Sequence, residues 1–326
     1  MRRRRALLAS VALLATVLQV PRSSAQSSAR VAVIGLLDAT ERPEWWDAFR
    51  QQLRELGYVE GRNVRFEQRY AKGNLDLLPG LAKGLVELRV AVIVTTSGVA
   101  ALAAQRATRT IPIVMASGAD QVALGLAASL ARPGGNVTGV STLTPDLAAK
   151  RFELLRELVP KSTRVAALWH TDNVPSRASV RELDGAAARA RVAFLSVGIR
   201  SAEELPDAFA QMSRERIDAL VVVSGPLIFQ ERKRIVDLAL KHRIPAMYGA
   251  TEYAEVGGLL SYAPSYPELF RHAAIYVDKI LKGANPADMP IEQPTTFELV
   301  INANTARALG VVIPPSLLAR ANRVIQ

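Results

Sequence analysis

The sequence predicts two doubly wound α/β lobes with parallel sheets, joined by a hinge. Three observations carry that prediction. Short apolar runs alternate with stretches of helical period over residues 31–140, and the same alternation restarts over residues 146–248. Several of the runs are apolar on both faces, as strands covered by helices on both sides must be. The join between the two series, STLTP at 141–145, is too short to be a floppy tether.

The elements follow in order. VAVIGLL (31–37) reads as a buried strand. WWDAFRQQLREL (45–56) places its apolar residues on one helical face and is closed by Gly57. Residues 63–69 alternate and read as a strand; 75–88 is a helix, 90–94 a strand, 99–107 a helix and 111–115 a strand. A short helix is expected over 124–130, stopped by ARPGGN before a strand at 137–140. The second series gives helices at 146–158, 176–190, 202–214 and 230–241. Its strands fall at 164–169, 192–197, 219–223 and 246–248. The tail adds a strand (258–262), a long helix (267–282), the Pro-rich loop KGANPADMPIEQP, a last strand (297–301) and short helices. It is too small for a third domain and is expected to cross between the lobes again.

The chain has 326 residues, enough for two domains that each bury a core. It begins MRRRRALLASVALLATVLQVPRSSAQ: arginines, a 15-residue apolar run, then small residues. That pattern predicts a cleaved signal peptide over 1–25, because the apolar run is short of the roughly 20 residues that span a bilayer. The absence of cysteine excludes disulfides, thiolate metal sites, cysteine nucleophiles and a cysteine-linked lipid. A periplasmic protein without a lipid anchor is therefore expected. The formal net charge is +11, but five arginines lie in residues 1–25, leaving 36 Lys+Arg against 30 Asp+Glu, or +6. With no long basic block interleaved with aromatics, nucleic acid is not an expected partner.

In open parallel sheets, ligands sit beyond the carboxyl ends of the strands. VIVTTSGVAALAAQ (92–105) shows what stands there: an apolar strand runs into Thr-Ser-Gly at the start of a helix. The helix's first N–H groups are unpaired and partially positive, so hydroxyls and a glycine there either cap it or help hold an anion. Reading each strand end in turn gives the candidate ligand residues Asp38, Thr40, Thr96, Ser97, Ser117, Asp120, Ser141, His170, Asn173, Ser224, Pro226, Thr251, Glu252 and Tyr262. A carboxylate such as Asp120 or Glu252 would pair with an ammonium group, and the helix start with Thr96 and Ser97 would hold a carboxylate. Together they point to a zwitterion. Trp45, Trp46, Trp169 and Tyr262 are candidates for an apolar wall; Trp45 and Trp46 are adjacent on one helix, so at most one faces inward.

Catalytic sets are missing. There is no HxxxH or HExxH, no G-x-S-x-G, no GxxxxGK[ST], and LLDAT rather than GxGxxG follows the first strand. No metal and no cofactor is expected, and the expected role is binding rather than turnover. An enzyme using His170 with Asp172 or Glu252 is disfavoured, because triad members come from separate elements. A transcription regulator would need a helix-turn-helix ahead of residue 31, where only the leader-like segment stands.

Three stretches carry a resemblance: LRELGYVEGRNV (53–64), TIPIVMASGADQVALGLAASLARPGGNVTGVS (110–141), and AAIYVDKILKGANPADMPIEQPTTFELVINANTARALGVVIPPSLLARANRVI (273–325). They resemble the substrate-binding proteins of ABC transporters of the tryptophan/tyrosine-binding-like type, within the type I periplasmic binding proteins. The resemblance implies two lobes, 29–140 plus 250–286 and 141–249 plus 287–326, with a ligand cleft between them that closes by hinge motion. It implies a small-molecule ligand, a monomer, and an inner-membrane ABC permease as partner; presenting the ligand to a membrane sensor is the alternative. The family usually reads Asp-Pro-Val where this chain has Asp120-Gln121-Val122, and Ser-Tyr-Gly where it has Ser261-Tyr262-Ala263. An aromatic amino acid is the leading ligand expectation, and another small carboxylate the next.

Overall fold

The computed structural model describes residues 31–118, 120–142 and 144–326, without the side chains of 144–146. The expected signal peptide at 1–25 lies outside the described residues.

The first series of apolar runs forms β1 (Ala32–Asp38), β2 (Val64–Tyr70), β3 (Val92–Thr95), β4 (Ile113–Met115) and β5 (Val137–Gly139). They pair in the order β2-β1-β3-β4-β5, all parallel. Between them run α1 (Pro43–Glu55), α2 (Leu78–Glu87) and α3 (Gly98–Ala107). Pro43 opens α1, where its fixed φ suits a helix start and its missing N–H is not needed.

The second series follows as α4 (Thr144–Leu158), β6 (Arg164–His170), α5 (Ser176–Arg189), β7 (Ala193–Ile199), α6 (Leu205–Arg214), β8 (Ala219–Val222), α7 (Pro226–Gln230), α8 (Arg232–Lys241), β9 (Ala246–Tyr248) and α9 (Glu252–Glu255). The tail gives β10 (Leu260–Ala263), α10 (Tyr266–Leu281), β11 (Glu298–Asn302), α11 (Ala303–Leu309), α12 (Pro315–Arg320) and β12 (Arg323–Ile325). The second sheet runs β12-β11-β10-β9-β8-β6-β7, parallel except where β10 meets β11.

The tail crosses between the two sheets. The sequence put 250–286 with the first lobe, yet β10 hydrogen-bonds between β9 and β11 in the second sheet. The crossing comes after Ala263, and α10 then lies along α1. There the apolar stripe of α1 (Trp45, Trp46, Phe49, Leu53) meets Phe270, Ala273, Ala274 and Val277, with Trp46 edge-on to Phe270 at 5.1 Å. Residues 286–292 stay against β5: Thr138 Oγ1 donates to the Met289 carbonyl at 2.8 Å, and Val140 bridges Glu292. The chain leaves again before β11. Gly139 sits in this join at φ +123°, and a Cβ there would lie 2.3 Å from the Met115 carbonyl, so only glycine fits.

Three other elements differ from expectation. Residues 124–130 form turns rather than a helix, with Gly125 at φ +69° inside the apolar run. Pro226 starts a separate short helix, α7, ahead of α8. The last residues form β12 rather than a helical end, pairing RVI beside β11.

Candidate functional site

The carboxyl ends of both sheets face one cavity, which encloses about 670 Å³ of space, part of it open to solvent. The first half contributes Arg42 and Trp45 from the start of α1, Thr96, Ser97 and Gly98 from the β3–α3 turn, Ser117 and Gly118 after β4, and Thr142. The second half contributes Asn173, Pro175 and Ser176 around the start of α5, Ser224 to Pro226 and Phe229 after β8, and Gly249, Ala250 and Tyr253 after β9. Tyr266 enters from the first turn of α10.

One wall is polar. Ser97 is extended at φ −154° and caps α3, accepting from the Ala100 N–H at 3.4 Å. Ser117 Oγ donates to the Thr96 carbonyl at 2.7 Å. Arg42, itself buried, donates to Thr96 Oγ1 at 2.7 Å and to Asp38 Oδ1 at 2.5 Å. Asp38 is fully buried at the end of β1, so its carboxylate neutralises the guanidinium and fixes where it points. Across the cavity, Asn173 Nδ2 donates to Ser176 Oγ at 2.6 Å, and Ser224 Oγ is buried with no partner among the described residues.

The other wall is aromatic. The Trp45 ring stacks on Tyr266 at 4.2 Å and meets Phe229 at 4.8 Å. The Arg42 guanidinium lies 5.1 Å from the Trp45 ring centre and 5.5 Å from that of Phe229. Tyr253 donates to the Ile228 carbonyl at 2.8 Å, and Tyr266 donates to the Gly249 carbonyl at 3.4 Å. Burial pushes both phenols above their ordinary range, so they stay neutral donors. An apolar, flat body fits these rings, and an anionic group fits the α3 start and the hydroxyls beside it.

Of the residues expected from sequence, Thr96, Ser97, Ser117, Asn173, Ser224 and Pro226 line the cavity. The other eight do not line it. Asp38 holds Arg42 from behind, and buried Thr40 follows it, its N–H donating to Asp38 Oδ1 at 3.2 Å. Asp120, an expected ammonium partner, instead caps its own turn, accepting from the Val122 and Ala123 N–H groups at 2.8 and 3.2 Å. Ser141 lies in the chain crossing, its N–H donating to the Glu292 carbonyl at 2.8 Å. His170 is buried outside the lining, and burial lowers its pKa. Thr251 precedes α9 away from the lining. Glu252 is screened by Trp45, whose Nε1 donates to Glu252 Oε1 at 2.5 Å. Tyr262 faces Phe297 at 5.6 Å rather than the cavity. Among the described residues, no cluster of His, Cys, Asp and Glu is arranged to hold a metal ion.

Sequence reasoning missed Arg42, Phe229, Tyr253 and Tyr266. The signals were present: Arg42 stands four residues after Asp38, and the three rings sit within the first turns of helices that follow strands. Of the paired tryptophans, Trp45 lines the cavity and Trp46 packs in the core.

Comparison with known proteins places this geometry. A profile described as ABC transporter substrate binding protein matches residues 30–325. A tyrosine-binding protein of Clostridioides difficile (strain R20291) is 29% identical over 282 residues, covering 85% of this chain and 81% of that protein. A crystal structure of an ABC domain in complex with L-Trp from Streptococcus pneumoniae superposes with a TM-score of 0.84 at 29% identity, over 90% of this chain and 99% of that one. The ligand-free, open structure of a substrate binding protein with adhesive properties from Clostridium difficile gives a TM-score of 0.64 at 26% identity, over 91% and 100% of the two chains. The family binds small solutes outside the cytoplasm for an ABC permease and is not a family of enzymes. The chain belongs to the ABC transporter substrate binding proteins and has the type I periplasmic binding fold.

Proposed function

We propose that this chain binds one small organic carboxylate, about the size of an aromatic amino acid, in the cavity between its two halves. On this reading it acts as a monomer in the periplasm after loss of residues 1–25, delivers the solute to an inner-membrane permease, and has no nucleic-acid partner. The observation that carries the ligand class is the make-up of the lining: the aromatic residues Trp45, Phe229, Tyr253 and Tyr266 together with the α3 start, Thr96, Ser97 and Ser117. The names of the tyrosine-binding relative and of the L-Trp complex support the same size and class. Cavity residues come from both halves, so a bound ligand favours the closed arrangement.

A thermal-shift screen against amino acids, aromatic carboxylates, sugars and small peptides tests the reading. A ligand at 100 times its Kd adds about 2.7 kcal/mol of stability. A melting shift with an aromatic amino acid or an aromatic carboxylate is the expected result. Response to sugars alone would overturn the ligand class.

A further inference from the structure

The charges around the cavity do not match a zwitterion. Arg42 is the charged residue of the lining, among the described residues, and Asp38 already neutralises it. A second guanidinium lies just behind the lining. Arg151, on α4, is 3% exposed, and its Nε donates to the Tyr262 carbonyl at 2.8 Å. No described carboxylate pairs with it, although burial works against its charge. Gly249 lines the cavity, and its missing side chain leaves the space into which Arg151 and Ser224 both reach. A Cβ on Gly249 would lie 3.1 Å from Arg151 Cζ, 3.2 Å from Nη1 and 2.1 Å from Ser224 Oγ. Thus a guanidinium with no described carboxylate partner and a hydroxyl with no described partner converge behind Gly249.

The acids that would answer an ammonium group are engaged elsewhere. Asp120 caps a turn, and Asp38 holds Arg42. Glu252 stands between the lining residues Ala250 and Tyr253 but accepts from Trp45, and burial raises its pKa. A zwitterion brings no net charge and leaves the Arg151 cation uncompensated; a carboxylate without an ammonium group cancels it.

We propose that the site prefers an aromatic carboxylate lacking an α-ammonium group over the matching amino acid, with Arg151 and Ser224 meeting the carboxylate from the second half. This rests on the reading that the cavity is the ligand site. Relatives named for tyrosine or bound to L-Trp would then differ from this chain in the head group they hold, not in the ring.

Calorimetric titration of the full chain, expressed from Met1, with two matched pairs tests it: indole-3-propionate against L-tryptophan, and 3-phenylpropanoate against L-phenylalanine. The des-amino acid of at least one pair is expected to bind about tenfold or more tightly than its amino acid, the equivalent of one charge-assisted contact. Arg151→Gln is expected to erase most of that difference, and Arg151→Lys to keep part of it. The lysine variant also stands in if the glutamine variant does not fold. Tighter binding of the amino acid in both pairs overturns the preference while leaving the cavity's role intact. Unchanged affinity for the des-amino acid in a folded Arg151→Gln protein overturns the role of Arg151. Failure of all four compounds to bind overturns the preference and the carboxylate class of the preceding section together.

Discussion

Trp45 Nε1 donates to Glu252 Oε1 at 2.5 Å, joining the first helix of the chain to a short helix 207 residues later. The bond links the two halves directly beside the cavity. Around it Trp45 stacks on Tyr266, and Glu252 Oε2 is buried with no partner among the described residues.

The Glu252 carboxyl titrates above its ordinary 4.5 because burial penalises its charge. Above pH 4.5 the unfolded chain releases this proton while the folded one retains it. Stability from this group is therefore fullest below 4.5 and is lost as pH rises through the folded pKa. Glu252→Gln keeps an acceptor for Trp45 and removes the charge. It should melt higher than the parent at pH 7.5, with the gap shrinking as pH falls towards 4.5. Melting curves across pH 4.5–8 check this; a gap that grows on acidification would mean that the ionised carboxylate stabilises the fold.

Asp38 and Arg42 should behave as one unit. Removing one partner of a buried pair leaves the other charge uncompensated, so Asp38→Ala should cost about 3–5 kcal/mol. Asp38→Ala combined with Arg42→Leu should cost less than the two single changes added together. Urea denaturation of the four proteins gives the coupling, and additivity would show that the pair does not hold itself in place.

His170 should matter to stability and not to ligand. Its ring is buried, Nδ1 has no partner among the described residues, and burial lowers its pKa below 6.5. Between the folded value and 6.5 the unfolded chain binds a proton that the folded chain does not. Stability is thus lost as pH falls below 6.5. His170→Gln should flatten that acid branch and leave ligand affinity within about twofold, since the residue is outside the lining. A large loss of affinity would return His170 to the site.

The alternation of strands and helices was legible because each element obeys its own period, and no distant residue is needed to see it. The β3–α3 turn was legible for the same reason: TTSG is local chemistry, and Ser97 caps α3 as its type predicts. What sequence could not supply was mutual position. Asp120 and Glu252 are both carboxylates near strand ends, but one folds back on its own turn and the other is taken by a tryptophan from the opposite half. Arg151 lies on a helix whose pattern reads only as amphipathic, and its approach to Gly249 depends on how α4 packs against β9 and β10. The crossing falls after Ala263 rather than near residue 250 because strand pairing, which the sequence does not show, sets β10 between β9 and β11.

Three separate stretches of chain pass between the sheets: after β5, after β10 and before β11. Two of them are bonded side by side, with Ser141 N–H donating to the Glu292 carbonyl and Glu292 N–H donating to the Gly139 carbonyl. If the halves open as proposed, these two bonded stretches would resist sideways slip more than bending, and opening would be chiefly one motion. One distance across the rim then describes the whole motion. Val122 and Val174, one on each half, are 38% and 50% exposed. The natural chain contains no cysteine, so Val122→Cys with Val174→Cys would give the molecule two thiols for a pair of spin labels or dyes, and opening would be read as one number.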